Sequence, residues 1–373
     1  MKIEKVSVYT CPQPLKIPFT HASSGYIDHL DGVYVCLEAE GVKGWGEVRG
    51  NCSYFTGDTT GAVVSSIVTT IAPKLVGLDA ENLNVLHDII SHSIVGNLAA
   101  KDACDSAAYD LCGKLQNKPA WSLLGGKRHD ILPSEENIPF MPVDQAEALA
   151  RQILTQGSRF IKVRVGGKSL RYDIERVSAV WNVIRESGFA DDVVFSVDAN
   201  CAWDTRSAIR NINELAKYGV TIVEQPVRFD SVSQLRELKA SIPTKLFGDE
   251  SVASIEDFVR WTDLGLIDGV HIKLIKCGGI TNAIRLTHLA EAHHIAYMVG
   301  SMDEGMMAIA AAVAVGAVSN TDLFEVHGHV RIANDPTTGL IVRGSDVLVP
   351  NTPGLGVQVD ESRLTLCAEI KES

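Results

Sequence analysis

Apolar residues recur along this chain with two different rhythms. Residues 2–10 alternate with Ile3, Val6 and Val8 as apolar positions; Val33, Val35 and Leu37 alternate again, and Glu40-Gly41 separates them from residues 42–48. Alternation broken by a glycine turn predicts a strand meander. A helical period follows over residues 61–76 and 97–115, where Ala99, Ala103, Ala107 and Leu111 form one stripe suited to close helix packing. Pro119 and Gly125-Gly126 punctuate the end of this region, which places a boundary near residues 126–136.

From about residue 137 short β-branched runs alternate with helix-length amphipathic stretches. Residues 160–165, 193–198, 220–224, 245–249, 269–273, 295–300 and 322–326 read as strands, with an eighth near 138–141. Helices such as 172–186, 206–218 and 254–264 fill the gaps, the last with Ser254 as its N-cap. Strand–helix alternation means a parallel sheet, and eight units close a (β/α) barrel. The expected architecture is α/β: an N-terminal α+β capping domain over residues 1–130, a (β/α)-barrel (a modified TIM barrel) over 131–325, and a segment, 326–373, packing back on the capping domain.

Composition narrows the partners. The 373 residues carry 46 acidic against 34 basic side chains, a formal net charge of −12. Such a balance argues against nucleic acid as a partner, because phosphate binding needs a basic stripe. An anionic substrate stays open, since a bound metal inverts the local field. No apolar run reaches the length of a membrane span; residues 306–318 are apolar but read as a buried helix. The N-terminus shows no basic region followed by an apolar stretch, so a cytoplasmic location is expected. The eight cysteines show no paired metal spacing and read as free thiols.

The chemistry sits at the C-terminal ends of the strands. Asp198, Glu224, Asp249 and Lys273 are 26, 25 and 24 residues apart, about one strand–helix unit each. They are therefore expected at one height on the barrel face where active sites form. Three carboxylates cannot stay ionised side by side without a counter-charge. A hard divalent cation supplies it, and Mg²⁺ suits carboxylate ligands, with Mn²⁺ as the alternative. Lys162 and Arg164 lie two apart on one strand and share a face. Lys273, beside a metal and another cation, becomes an effective base.

These pieces resemble a known family. Phe160-Ile-Lys-Val-Arg-Val-Gly166, Val197-Asp-Ala-Asn200, Val223-Glu-Gln-Pro226, Gly248-Asp-Glu-Ser251 and Asp268-Gly-Val-His-Ile-Lys-Leu-Ile-Lys-Cys-Gly-Gly-Ile-Thr281 look like the barrel motifs of the enolase superfamily, in its muconate-lactonizing subgroup. Gly44-Trp-Gly-Glu47, Tyr54-Phe-Thr-Gly-Asp58 and Pro353-Gly-Leu-Gly356 match its N-terminal domain and closing segment. The resemblance implies that Asp198, Glu224 and Asp249 ligate Mg²⁺. It also implies that the metal holds a substrate carboxylate and stabilises the enediolate formed when the α-proton leaves, with Lys273 as the base. A homo-oligomer, often an octamer, is implied as well.

One position departs from the pattern. The subgroup carries Lys-x-Lys on the second strand, the second lysine being a base on the other face; here that residue is Arg164. Guanidinium does not give up its proton, so Arg164 is expected to bind a carboxylate or a leaving group, and Lys162, beside it on the same strand, to reach the substrate carboxylate or take over proton transfer. The reading tilts to one-base chemistry: a dehydratase, or a racemase or epimerase, of a small amino or imino acid such as a hydroxyproline, or of a hydroxy acid. Ser301, Asp303 and Glu304, after the seventh strand, and Glu325 on the last are expected to line the pocket with Asn200. Asp303 and Glu325 are candidates for pairing with a substrate amine. His21, in the 18–25 loop, is expected to help close the pocket. Competing readings are a cycloisomerase of an unsaturated diacid, an aldolase using Lys273 as a Schiff base, and a non-catalytic binding protein. His271, one layer below Lys273, reads as packed or hydrogen-bonded.

Overall fold

The computed structural model describes residues 1–21 and 25–372, the side chains of Thr20 and His21 excepted. The capping domain is built on a four-stranded antiparallel sheet. Its first hairpin pairs Lys5–His21 with Gly25–Ala39, and Val42–Arg49 continues the sheet. The first arm runs well past the residues whose alternation announced it. Pro12, Pro14 and Pro18 break the apolar rhythm, and the pairing is irregular between Pro14 and Phe19, yet both arms continue outward. Residues 18–21 and Gly25 thus belong to the two paired strands. The side chain of His21 lies outside the described residues. Glu40 and Gly41 both take positive φ (51° and 76°), the conformation of a tight hairpin turn.

The helix expected over 61–76 is interrupted by a π-turn at Ile67–Ile71. Pro73 explains it: the ring has no N–H to give Thr69 and clashes with that carbonyl, so the helix shifts its hydrogen-bond register. The Leu98–Leu115 helix lies against Val42–Arg49. A methyl group on Gly46 would stand 2.0 Å from the carbonyl oxygen of Ala103, and one on Gly44 would stand 2.3 Å from Cβ of Leu111. Glycines on the strand and alanines on the helix let the two backbones meet.

Eight parallel strands follow: Glu136–Ile138, Phe160–Arg164, Val194–Asp198, Ile222–Glu224, Lys245–Gly248, Gly269–Lys273, Ala296–Gly300 and Phe324–Glu325. A parallel bridge between Ser134 and Phe324 joins the last strand to the first and closes the barrel. Apolar residues such as Ile161, Val163, Phe195 and Val223 are buried in the core, while Lys162, Arg164, Asp198 and Glu224 take the opposite parity and point inward. The chain then returns to the capping domain, where Thr365–Lys371 pairs with the first strand. Among the described residues no helix is long and apolar enough to cross a membrane; Met306–Val318 is a buried helix.

Candidate active site

The barrel brings the strand-end residues together, but not at one height. Arg164 pairs with Asp198 and Asp198 with Glu224, so these three form one row across the second, third and fourth barrel strands. Glu224 then pairs with Phe247, which puts Asp249 two residues further along. Closing a sheet requires a stagger in register, and equal sequence spacing cannot reveal where it falls. Lys273 ends the sixth strand, beside Gly300 of the seventh. The second and sixth of eight strands lie across the barrel from each other, so Arg164 and Lys273 flank the carboxylates from opposite sides.

Each carboxylate is buried and held. Asp198 is tied to the Arg164 guanidinium and accepts from the Asn200 backbone N–H (2.9 Å) and side-chain amide (3.1 Å). Glu224 accepts from Lys162 at 2.8 Å and from His271 Nδ1 at 2.9 Å. Asp249 accepts from Lys273 on Oδ2 and from Lys276 on Oδ1, both at 2.7 Å, and Lys276 also reaches its main-chain carbonyl at 2.6 Å. Backbone geometry after the ligands is unusual: Asn200, Cys201 and Gln225 all take positive φ. Non-glycine residues persist there only when their surroundings fix them. Gln225 shows how: its Oε1 accepts from the N–H groups of Asp249 and Ser251, tying the fourth strand end to the fifth.

Electrostatics follow from burial and pairing. Burial opposes the charge on Glu224 and Asp249, but Lys162 and Lys273 in the first case, and Lys273 and Lys276 in the second, outweigh it and hold both near pKa 2. Burial raises Asp198 to about 6 despite Arg164. Burial, with Asp249 and Asp198 nearby, raises Glu250 to about 8. Burial also works against the Lys273 ammonium, yet Asp249, Glu325 and Glu224 raise its pKa. His271 is kept neutral chiefly by burial.

Five carboxyl groups (Asp198, Glu224, Asp249, Glu135, Glu325) therefore share four cations (Lys162, Arg164, Lys273, Lys276), and Glu250 stands beside them on Asn200, so one negative charge is left over if those five ionise and two if Glu250 does as well. A divalent ion would balance them. Glu224, Asp249 and His271 present donor atoms within 4.8 Å of one another, with Asp198 on the adjoining strand. The residues fit a hard cation held by carboxylate oxygens.

A cavity of about 610 Å³ opens above these groups. Arg164, Asn200, Asp249, Lys273, Ser301, Asp303 and Glu325 line it, as expected of pocket residues. Two expected residues stand elsewhere. Lys162 is completely buried below the floor, 2.7 Å from Glu135, 2.8 Å from Glu224 and 3.3 Å from Glu325. Glu304 does not line the cavity; it is buried and accepts from the backbone N–H groups of Met302 (3.1 Å) and Arg49 (3.4 Å). Those unpaired amides claim a carboxylate that strand position alone assigned to the pocket. Asp303 is paired with Arg331 at 3.1 Å, and Glu325 with Lys162 at 3.3 Å, so each already faces a cation of the chain's own.

Other members of the site had no distinct signal in the sequence. Lys276 was visible only as the second lysine of Lys273-Leu-Ile-Lys276. Glu135 precedes the first barrel strand, and His327 follows the last. His327 joins Ser134 Oγ (2.8 Å) and Glu136 (2.9 Å) in one polar chain.

Comparison with known proteins agrees with this geometry. Residues 4–125 match the model for the mandelate racemase/muconate lactonizing enzyme N-terminal domain, and residues 145–363 match that for the enolase C-terminal domain-like family. L-Ala-D/L-Glu epimerase of Clostridium acetobutylicum is 31% identical over 366 residues, covering 96% of this chain and 99% of that one. The muconate lactonizing enzyme of Pseudomonas fluorescens, solved with muconolactone, superposes with a TM-score of 0.91 at 27% identity, covering 97% and 98% of the two chains. The dipeptide epimerase of Enterococcus faecalis, solved with Mg and L-Leu-L-Tyr, superposes with a TM-score of 0.88 at 29% identity, covering 96% and 100%. With its barrel, its strand-end carboxylates and both halves matched, the chain belongs to the mandelate racemase/muconate lactonizing enzyme family of the enolase superfamily and is an isomerase or lyase.

Proposed function

We propose that this enzyme removes the proton α to a substrate carboxylate from one face only, with Lys273 as the base. The observation that carries the reading is the placement of Lys273 and Arg164 on the sixth and second barrel strands, either side of Asp198, Glu224 and Asp249. Asp198, Glu224 and Asp249 would hold Mg²⁺, which when bound supplies charge to offset what builds on the carboxylate as the proton leaves, a role well described for this superfamily.

The remaining work falls to the chain's own groups. Asp249, Glu325 and Glu224 favour the Lys273 ammonium; with Asp249 and Glu224 engaged by a bound cation that hold would weaken, and Lys273 Nζ, as the free amine, would take the α-proton. Lys276 and Gln225 fix Asp249 through its carboxylate, carbonyl and N–H. Arg164 cannot serve as the mirror-image base, because guanidinium, with a pKa above about 12, stays protonated at neutral pH, and although burial opposes its charge the neighbouring Asp198 outweighs that. Its positive charge is instead available to a leaving group or a second polar group of the substrate. The electron pair left at Cα then has two outcomes. It expels a β-substituent to form a double bond, or it takes the proton back from Lys273 with retention.

Relatives named as racemases and epimerases keep the reading within carboxylate substrates. A cycloisomerase is the second reading, supported by 30% identity to a chloromuconate cycloisomerase over 98% of this chain. Incubation with Mg²⁺ in D₂O against N-acyl amino acids, dipeptides, imino acids and hydroxy acids separates them. Deuterium entering at Cα with retained configuration, lost on chelation and in Lys273→Ala, is the expected result. Lactone formation from an unsaturated diacid without Cα exchange in any amino acid derivative would favour the second reading.

A further inference from the structure

We propose that the body of the substrate, beyond the reacting carboxylate, is uncharged and apolar, with the bulk of an N-acylated or peptide-linked amino acid carrying a large hydrocarbon or aromatic side chain. This rests on the α-proton reading only for which end of the substrate faces Lys273.

Size is the first argument. A cavity of about 610 Å³ falls in the range that encloses ligands of roughly 300–1,000 Å³ sites, and a molecule as small as hydroxyproline would leave most of it empty.

The lining is the second. Ile17, Phe19 and Tyr26 of the capping hairpin share this cavity with Phe140, Met141 and Leu149, which follow the first barrel strand. Ile17 is 79% exposed and Tyr26 70% exposed, so hydrocarbon at the rim stands in water until something covers it. Covering such surface is favourable in proportion to the apolar area removed from water.

Charge is the third. Every carboxylate that lines the cavity among the described residues already has a partner: Glu135 and Glu325 have Lys162, Glu136 has His327, Asp249 has Lys273 and Lys276, and Asp303 has Arg331. A substrate ammonium would have to share a carboxylate with the group already bonded to it, and where that group is a lysine or arginine its like charge disfavours the newcomer. Lys16 at the rim donates to the Val330 carbonyl at 2.7 Å. Its positive charge further disfavours a cationic tail and makes an anionic one the principal competitor.

The test is calorimetric titration of the Mg²⁺-loaded full chain with both enantiomers of N-acetylalanine, N-acetylphenylalanine, N-acetyllysine and N-succinylalanine. Cα hydrogen exchange in D₂O is followed on the same compounds. N-acetylphenylalanine is expected to bind about tenfold or more tightly than N-acetylalanine, and N-acetyllysine no more tightly than N-acetylalanine. Tyr26→Ala should narrow the phenylalanine–alanine gap. Equal affinities, tightest binding of the lysyl or succinyl compound, or no binding of any of the four would overturn the proposal. Graded binding without exchange would keep this inference and sink the α-proton reading. Exchange at equal rates and affinities would do the reverse.

Discussion

Replacing Arg164 by lysine tests the one-face mechanism most directly. In the native enzyme the guanidinium, with a pKa above about 12, is deprotonated in fewer than about one molecule in 10⁴ at pH 8. A lysine at the same strand end, beside a bound metal and three other cations, would have its pKa drawn toward ~7–8 and be largely free to accept a proton. General acid–base catalysis is worth about 10²–10⁴-fold, so Arg164→Lys should raise the rate of stereoinversion by at least about 10²-fold. Exchange with retention, which depends on Lys273, should change much less. The substitution loses the Arg164 bonds to Asp198 and Asn200. Hydrogen bonds to charged groups contribute roughly 1.5–3 kcal/mol, and the Arg164 side chain is 22% exposed. A loss of ~1–3 kcal/mol is therefore expected, within the ~5–15 kcal/mol of a folded domain. The assay is chiral chromatography with NMR of Cα deuteration, run on the panel compound that exchanges fastest, with a thermal melt as control. If the native enzyme inverts that compound as fast as it exchanges it, another group supplies the second proton and the assignment of Arg164 fails.

Three further outcomes follow from the same structure. Lys273→Ala should lower Cα exchange by about 10²–10⁴-fold with an unchanged circular dichroism spectrum, and EDTA should abolish exchange reversibly; exchange surviving either treatment would remove Lys273 or the metal from the reaction. Burial raises Glu47 to about 8, with Asp335 adding to the shift and Tyr34 and Gln13 opposing it. The folded state thus holds a proton that the unfolded state releases near pH ~4.3, so this group's contribution to stability is present below that pH and falls as pH rises toward 8. Denaturant unfolding between pH 5 and 8 should show Glu47→Gln flattening the decline, and an unchanged slope would refute the assignment. Gly46→Ala drives a methyl group into the Ala103 carbonyl and should cost at least ~1–3 kcal/mol by overpacking; a melt matching the native chain would show that the strand and helix separate more easily than their packing implies.

How far the sequence could be read depends on how local each signal is. The Gly269–Lys273 and Met306–Val318 elements were legible to the residue, because apolar runs bounded by turn residues carry their own period. The last barrel strand contracted to Phe324–Glu325, and the first moved to Glu136–Ile138. These are the strands joined at the barrel's closure, where pairing with a distant partner sets the ends. The Leu83–Ser93 helix buries only Leu86, His87 and Ile90, a stripe too narrow to announce a helix in the sequence.

The candidate site divides the same way. Asp198, Glu224, Asp249 and Lys273 could be placed on one face of a barrel from the sequence because a strand–helix unit has a nearly fixed length, though not at one height, since the stagger between strands is not written in the spacing. Arg164 stood out for a similar reason, as a position that breaks the Lys-x-Lys pattern of the second barrel strand. Only the folded chain decides which cation meets which carboxylate. Lys162 is consumed by Glu135, Glu224 and Glu325, Lys276 is drawn onto Asp249, and Glu304 is claimed by backbone amides. The cavity wall is likewise assembled from residues as far apart as Tyr26, Phe140 and Arg331. Spacing along a chain records what each unit repeats; the pairing of charges and the shape of a cavity depend on the register between units, which the sequence does not encode locally.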